Sequence, residues 1–132
     1  MKMYLQLILL LLAAGVNLQA QSDTLRFDPE AQVSDSVEYE LIVLDPGYES
    51  YLVSQPHMEF YSQSYYENWN YRYVMEWNYR YMQPLRYGDL FEVYIDYQPE
   101  IDYGLELNYR LFHYFRFFEK ENDIDLLPEK VF

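Results

Sequence analysis

The chain has 132 residues, with 22 Asp and Glu against 9 Lys and Arg, a net charge of −13 and no cysteine. The acidic balance argues against nucleic acid or an anionic membrane surface as the main partner, because both are negatively charged. The lack of cysteine excludes disulfides, thiol catalysis and lipid attachment through cysteine.

The first 20 residues have the pattern of a secretory signal peptide. Lys2 gives a positive start, Tyr4 to Val16 is apolar apart from Gln6, and Ala20 ends a plausible cleavage site. A retained anchor is the alternative, but the run is shorter than the roughly 18 apolar residues of a spanning helix. We therefore predict an exported protein, periplasmic or secreted, with no stable membrane anchor after cleavage. Loss of Lys2 makes the mature net charge −14.

The N-terminal part of the mature chain is polar before it becomes apolar. Residues 21–36 have no periodicity and predict a flexible acidic linker. Val37 to Leu44 first alternates and then turns apolar on both sides, which predicts a strand that becomes more buried along its length. Asp45 then precedes Pro46, a pair typical of a helix start, so we predict a short helix over 46–55 that Pro56 ends.

The pentapeptide WNYRY occurs at 69–73 and again at 77–81. Apolar and aromatic residues alternate here as in a strand, but the aromatic residues are also spaced by four, as on a helix. Ser64 and Glu67 have the spacing of a capping box, and a strand of this length would be unusual. We therefore predict a helix from about Tyr65 to Met82.

Charged residues on this helix support the same interpretation. Arg72, Glu76 and Arg80 are spaced by four, as in a ladder of ion pairs along one side of a helix. The spacing of three also places Trp69 beside Arg72 and Trp77 beside Arg80, so each pair is expected to make a cation–π contact.

The rest of the chain contains a second long helix. Residues 85–98 fit a strand or a short helix, and that choice stays open. Leu105 to Glu121 carries an apolar face at helical spacing, and Asp102 is a candidate cap. Ile124 to Leu127 is a candidate edge strand for pairing with 37–44. These elements predict an α+β fold, mainly helical: two long aromatic-rich helices packed together with a small sheet, in one domain over 37–128, followed by a tail at 129–132.

Aromatic side chains of the first long helix are candidates for ligand binding. Four rings could form a platform on which sugars stack, although aromatic residues at helical spacing more often pack in a core. Tyr71 and Tyr79 lie off the main stripe and are the most informative of the set. The ligand-binding candidates are Trp69, Tyr71, Trp77 and Tyr79.

Carboxylates between the two helices are weak candidates for acid and base catalysis. Paired carboxylates hydrolyse glycosides when their pKa values differ, but in so acidic a chain such clusters also arise as solvated or capping groups. His113 lies among aromatic residues and is more simply a packed structural histidine than a general base. The catalytic candidates are Asp89, Glu92, Asp96, Asp102 and His113. No metal site and no cofactor is predicted, because neither zinc-ligand nor calcium-loop spacing occurs.

Several stretches resemble an uncharacterised family of short exported bacterial proteins. They are YELIVLDPGYESYL, ENWN with EWN, PLRYGD and YIDYQPEIDYGLELNYRL, and together they span most of residues 34–128. The resemblance implies export and a domain of unknown function, and it assigns no catalytic residue.

The sequence favours a structural or protein-interaction role in the cell envelope over an enzyme. A carbohydrate- or peptide-binding module that uses exposed Trp and Tyr is the alternative, and a hydrolase that uses the carboxylates of 89–102 is a weaker one. The predicted partner is therefore an envelope protein or a glycan, and not a nucleic acid.

Overall fold

The computed structural model describes residues 5–8 and 39–128. The rest of the predicted signal peptide, the predicted linker at 21–36 and the tail at 129–132 lie outside the described residues. In chain order the elements are strand β1 (Leu5–Ile8), strand β2 (Glu40–Val43), helix α1 (Tyr48–Val53), a 3-10 turn (Met58–Phe60), and helices α2 (Gln63–Tyr81), α3 (Pro84–Tyr87) and α4 (Gly104–Asn122).

Helix α4 forms the centre of the described fold. It contacts α2, α1 and β2, and buried residues occur around most of its circumference. A helix that is apolar on nearly all sides is stable only when other elements enclose it. Aromatic rings make these contacts: Phe115 stacks on Tyr73 of α2 with ring centroids 4.9 Å apart, and Tyr114 meets Tyr48 of α1 edge-on at 5.9 Å. The mainly helical class predicted from sequence is therefore correct.

Helix α2 begins two residues earlier than predicted, and its cap is a different serine. Ser62 has the extended backbone that a cap requires, and its hydroxyl accepts from the Tyr65 N–H at 3.2 Å. The predicted capping box of Ser64 and Glu67 is wrong, because the Glu67 carboxylate accepts instead from the Gln63 amide at 2.7 Å. The C-terminal end of α2 at Tyr81 lies within one residue of the predicted end.

The predicted pairing of the C-terminal segment with the N-terminal strand is also wrong. Residues 124–127 form no strand, and the Leu126 N–H donates to the Glu119 carboxylate at 2.9 Å rather than to a sheet. β2 instead pairs antiparallel with β1, with Leu41 opposite Leu7. β1 falls within the predicted signal peptide.

One further local prediction needs correction, and the structure decides the open choice for residues 85–98. Helix α1 starts at Tyr48, with Gly47 at its N-cap and a φ of 86°, so Asp45 caps nothing and its side chain turns into the fold. Of the ambiguous stretch 85–98, the first residues belong to α3, and Phe91 to Gln98 forms neither helix nor strand. This irregular part is fixed by side chains of α2, as described below.

Candidate functional site

The two copies of WNYRY have different environments because of helix geometry. Eight residues advance an α-helix by a little more than two turns, so the second copy is rotated by about 80° relative to the first. Trp77 is 2% exposed, and its indole N–H donates to the Val93 carbonyl at 2.7 Å, while its ring meets Phe118 at 4.6 Å. Trp69 is only partly buried against the core. Trp77 is thus a core residue and not a free ligand platform.

The asparagine of the second copy holds the irregular segment that follows α3. The Asn78 side chain donates to the Ile95 carbonyl at 2.9 Å and accepts from the Ile95 N–H at 2.8 Å. Together with the hydrogen bond from Trp77 to Val93, the Asn78 side chain pairs backbone N–H and C=O groups that would be paired by a neighbouring strand in a sheet. The sequence of this segment alternates like a strand, but its backbone groups form hydrogen bonds with side chains of α2 and not with another strand.

The asparagine of the first copy belongs to a buried polar cluster between the two long helices. Asn70 and Asn108 are both fully buried, and the Asn70 amide donates to the Asn108 carbonyl at 2.9 Å. The Tyr97 hydroxyl donates to the Asn108 side-chain oxygen at 2.7 Å, and the Asn108 amide donates to the Gly104 carbonyl at 2.8 Å. These bonds fix the register of α2 against α4.

The arginines of the repeat also differ. Arg72 lies over the Trp69 ring at 4.8 Å, as the spacing predicts. Arg80 pairs with Glu76 at 2.7 Å, but its guanidinium lies over Tyr87 at 5.1 Å and not over Trp77, whose ring faces the core.

The side of α2 that faces away from α4 carries exposed apolar residues. Tyr71 and Tyr79 are 45% and 46% exposed, and Met75 between them is 57% exposed. Met82 continues the line at the C-terminal end of the helix and is 66% exposed. We call Tyr71, Met75, Tyr79 and Met82 the α2 outer face. Of the four ligand-binding candidates, Tyr71 and Tyr79 are therefore available at the surface, whereas Trp77 is buried and Trp69 is partly covered.

The carboxylate candidates lie at the surface. Asp89, Glu92 and Asp96 are exposed. The Asp102 carboxylate accepts hydrogen bonds from the Gln63 amide at 2.6 Å and from the Gly104 N–H at 3.0 Å. Both bonds lower the pKa of its carboxyl group, and the bond from Gln63 has the larger effect. Asp102 therefore ties the start of α4 to α2. Within residues 5–8 and 39–128, no three Asp, Glu or His side chains are grouped so as to hold a metal ion.

His113 is buried inside an aromatic cage. Its ring meets Tyr109 edge-on at 4.6 Å and Phe112 at 4.9 Å. Its Nδ1 atom is buried and has no hydrogen-bond partner. Burial in the first place, and the positive charge of Arg116 in the second, lower the pKa of His113 from 6.5 to about 4. His113 is held neutral at physiological pH.

Asp45 is the functional candidate that sequence reasoning missed. Its side chain is 7% exposed, and both carboxylate oxygens are buried with no hydrogen-bond partner. The Tyr114 phenol is close enough to act on the carboxyl group without forming a hydrogen bond of normal geometry. Burial is the main cause, and it raises the pKa of the Asp45 carboxyl group. The Tyr114 phenol lowers this pKa, and the negative charges of Glu121 and Glu92 raise it further. No spacing rule signalled this, because an Asp before Pro is typical of a helix cap.

Comparison with known proteins connects these features to a family. A family of unknown function, DUF6146, matches residues 2–127. The chain belongs to this family. The comparisons with curated proteins and with solved structures found no match. The predicted membership in an uncharacterised family is thus confirmed for this DUF6146 protein, while export and a bacterial source stay predictions of the sequence. In the part of the chain that the structure describes, every helix is too short or too polar to cross a membrane.

The neutral state of His113 predicts a loss of stability in acid. Because its folded-state pKa of about 4 lies below the unfolded value of 6.5, its contribution is complete above pH 6.5 and is lost as the pH falls through 4. We expect His113→Phe to lose less stability than the wild-type DUF6146 protein between pH 6.5 and 4, by of order 2 kcal/mol. Urea unfolding at a series of pH values measures this. Parallel curves for the two proteins would contradict it.

The buried carboxyl of Asp45 predicts the opposite dependence on pH. Its folded-state pKa is raised, so its contribution is most favourable below the ordinary value of 3.8 and is lost as the pH rises through the raised value. We expect Asp45→Asn to increase the free energy of unfolding at pH 7 by about 1–2 kcal/mol, because it removes a buried group that ionises without a partner. The gain should shrink toward pH 3.5 in the same urea titrations, and a variant less stable than wild type at pH 7 would contradict it.

Proposed function

We propose that this DUF6146 protein is an exported interaction domain that binds a partner protein in the cell envelope through the α2 outer face. The observation that carries the proposal is the unbroken line of exposed apolar side chains on α2. Tyrosine and methionine suit protein interfaces, because tyrosine supplies a large ring with a polar tip and methionine adapts its shape to a partner. Contiguous exposed apolar residues of this kind mark interaction sites.

The hydrogen bonds that hold α2 in the fold support the same proposal. Its inner side is fixed to α4 by the buried bonds of Asn70, and its C-terminal half is fixed to the irregular segment by Asn78 and Trp77. A helix held in this way presents its outer face in one conformation, so little conformational entropy is lost when a partner binds.

The chemistry of the partner follows from charge. With a mature net charge of −14, the domain attracts positively charged proteins and repels negatively charged ones. We therefore propose a partner with an apolar contact surface bordered by Lys and Arg. A second copy of this chain fits poorly, because two such domains repel each other.

The carbohydrate-binding alternative retains one supporting observation, which is the exposure of Tyr71 and Tyr79. It loses Trp77, one of the two tryptophans among the four candidates, to the core. The methionines of the α2 outer face also offer a sugar no hydrogen bonds. The weaker hydrolase hypothesis rests on exposed carboxylates alone, and the Asp102 carboxylate already has a structural role.

Site-specific photocrosslinking in cells tests the proposal. A photoreactive side chain at Met75 should capture one predominant protein, and the same group at Val53, a still more exposed apolar position on α1, should not. The captured protein is then purified. We expect Tyr71→Ala with Tyr79→Ala to weaken its binding by at least tenfold, with Val53→Ala as the matched control.

Two results would count against the proposal. Equal affinity of the double variant and wild type would show that the α2 outer face is not the interface. Saturable binding of a glycan that the double variant loses, without any protein captured at Met75, would favour the carbohydrate alternative.

A further inference from the structure

Strand β2 has its neighbouring strand inside the predicted signal peptide. It pairs antiparallel with β1, and Ile8 lies opposite Glu40. In the part of the chain that the structure describes, these two strands make up the whole sheet. β1 lies among the residues that cleavage after Ala20 removes. Removal of β1 leaves the backbone N–H and C=O groups along this edge of β2 without a strand partner.

Contacts with α4 and the core hold β2 in the fold. Side chains on a strand alternate between its two faces, and Leu41 on the inner face is 2% exposed. Tyr39 and Val43 share this face and pack against the core, and the Tyr39 ring meets Tyr103 edge-on at 4.8 Å. On the outer face Glu40 is exposed. These neighbours of β2 all follow the signal peptide in sequence, so cleavage leaves the strand attached to the core while its edge opens.

An edge fixed in this way suits the addition of an extended segment from another protein. In strand addition, main-chain hydrogen bonds supply affinity and alternate side chains supply specificity. Residues that lie opposite each other in an antiparallel pair project to the same face of the sheet. The added segment therefore needs apolar residues opposite Val43 and Leu41, which face the core. In the sequence of β1, Leu5 and Leu7 stand at these two positions, with Gln6 between them.

Charge specifies the fourth position and opposes pairing between two copies of the chain. The residue opposite Glu40 belongs to the outer face, where Lys or Arg forms a favourable cross-strand pair with the carboxylate. A second copy brings further negative charge, because the mature net charge is −14. From its N-terminal end, the segment that fits β2 thus has the pattern apolar, any residue, apolar, and then Lys or Arg.

We propose that cleavage of the signal peptide opens the β2 edge to an extended segment of a partner protein, which adds to β2 as an antiparallel strand with this pattern. The inference rests on the export that is part of the proposed function. It uses no residue of the α2 outer face, so the two interaction surfaces are tested separately.

Peptide binding to the exported protein tests the edge. Mass spectrometry first establishes that residues 5–8 are absent from the exported chain. The probe is a fluorescently labelled peptide that contains LQLK, and its anisotropy should rise saturably as the mature chain is added. The full-length variant Ala20→Phe keeps the signal peptide, because a bulky residue blocks the cleavage site. We expect it to bind the peptide at least about tenfold more weakly than the mature chain, since β1 occupies the edge.

Matched controls identify the mode of binding. In a strand, alternate N–H groups point to the same edge, so two LQLK peptides are N-methylated on alternate amides. Only the one methylated on the amides that face β2 should bind more weakly, by at least about tenfold. Exchange of the edge-facing amide hydrogens of β2 should slow when the unmodified peptide is bound.

A charge exchange tests the register. Glu40→Lys changes an exposed side chain and should weaken the binding of the LQLK peptide about fivefold. The same variant should bind a peptide that contains LQLE about fivefold more tightly than the unsubstituted mature chain does. Equal affinities of both peptides for both chains would contradict the pairing with Glu40.

Four results would overturn the proposal. The exported chain could retain residues 5–8, or the mature chain could bind the LQLK peptide no more tightly than the Ala20→Phe chain does. Both methylated peptides could bind as well as the unmodified one. A dimer of the mature chain that the LQLK peptide dissociates would assign the edge to a second copy. In each case, capture of a protein at Met75 would still support the α2 outer face, so the two proposals fail separately.

Discussion

Replacing Trp77 with alanine should lower the free energy of unfolding by about 3–5 kcal/mol, whereas Trp69→Ala should cost only about 1–2 kcal/mol. The Trp77 ring contacts Phe91 and Phe118, with centroid distances of 5.0 and 4.6 Å, and its indole N–H holds the Val93 carbonyl. Alanine would leave a cavity among these rings and an unpaired carbonyl. Trp69 lies partly in solvent, so its removal leaves no enclosed cavity.

Urea unfolding followed by far-ultraviolet circular dichroism measures both variants, and each serves as the control for the other. The two tryptophans occupy the same position in identical pentapeptides, so local helix propensity cancels in the comparison. Equal losses would contradict the proposed difference in burial. The wild-type fluorescence should also divide into a blue-shifted component from Trp77 and a more readily quenched one from Trp69.

The second large effect is expected at Asn108. Changing it to alanine removes the acceptor of the Tyr97 hydroxyl and the donor to the Gly104 carbonyl, and both groups lie in the interior or at its edge. The Asn70 amide also loses one of its two contacts. Because unpaired buried polar groups are costly, we expect a loss of about 2–4 kcal/mol.

A double-mutant cycle with Asn70→Ala shows whether the two asparagines act together. If they do, the double variant should lose less stability than the sum of the single losses, by at least about 0.5 kcal/mol. Asn78→Ala is the matched control, since Asn78 is the equivalent residue of the other repeat and has no bond to Asn108. Additive losses for Asn70 and Asn108 would contradict a shared cluster.

The two long helices could be predicted because their signals are local. Residues spaced by four and an arginine–glutamate ladder lie within single segments, and helices α2 and α4 lie within two residues of the predicted limits. The cap of α2 was misplaced because Ser62 and Ser64 are equally good residues, and only the backbone conformation chooses between them.

The remaining features depend on contacts between distant residues. The irregular segment alternates like a strand, but its neighbour is the side chain of Asn78 and not another strand. The apolar segment at 124–127 is explained in the same way, since Leu126 packs in the core and its N–H bonds to Glu119. Asp45 resembles a cap in sequence, and only the position of α4 shows that its carboxyl is buried.

The exposure of some candidate site residues can be predicted from the sequence, and that of others cannot. Helical spacing places Tyr71 and Tyr79 off the aromatic stripe, and both side chains are exposed. Trp69 and Trp77 could not be told apart by identity or by spacing, because the rotation between the two copies matters only once the position of α4 is known.

The central position of α4 also has a consequence for the order of synthesis. Helices α1 and α2 leave the ribosome before residues 104–122, and until then Tyr48, Tyr66 and Tyr73 have no helix to pack against. The domain therefore cannot complete its core while the chain is still growing through its first hundred residues. A nascent chain of this kind buries these side chains only after α4 has emerged.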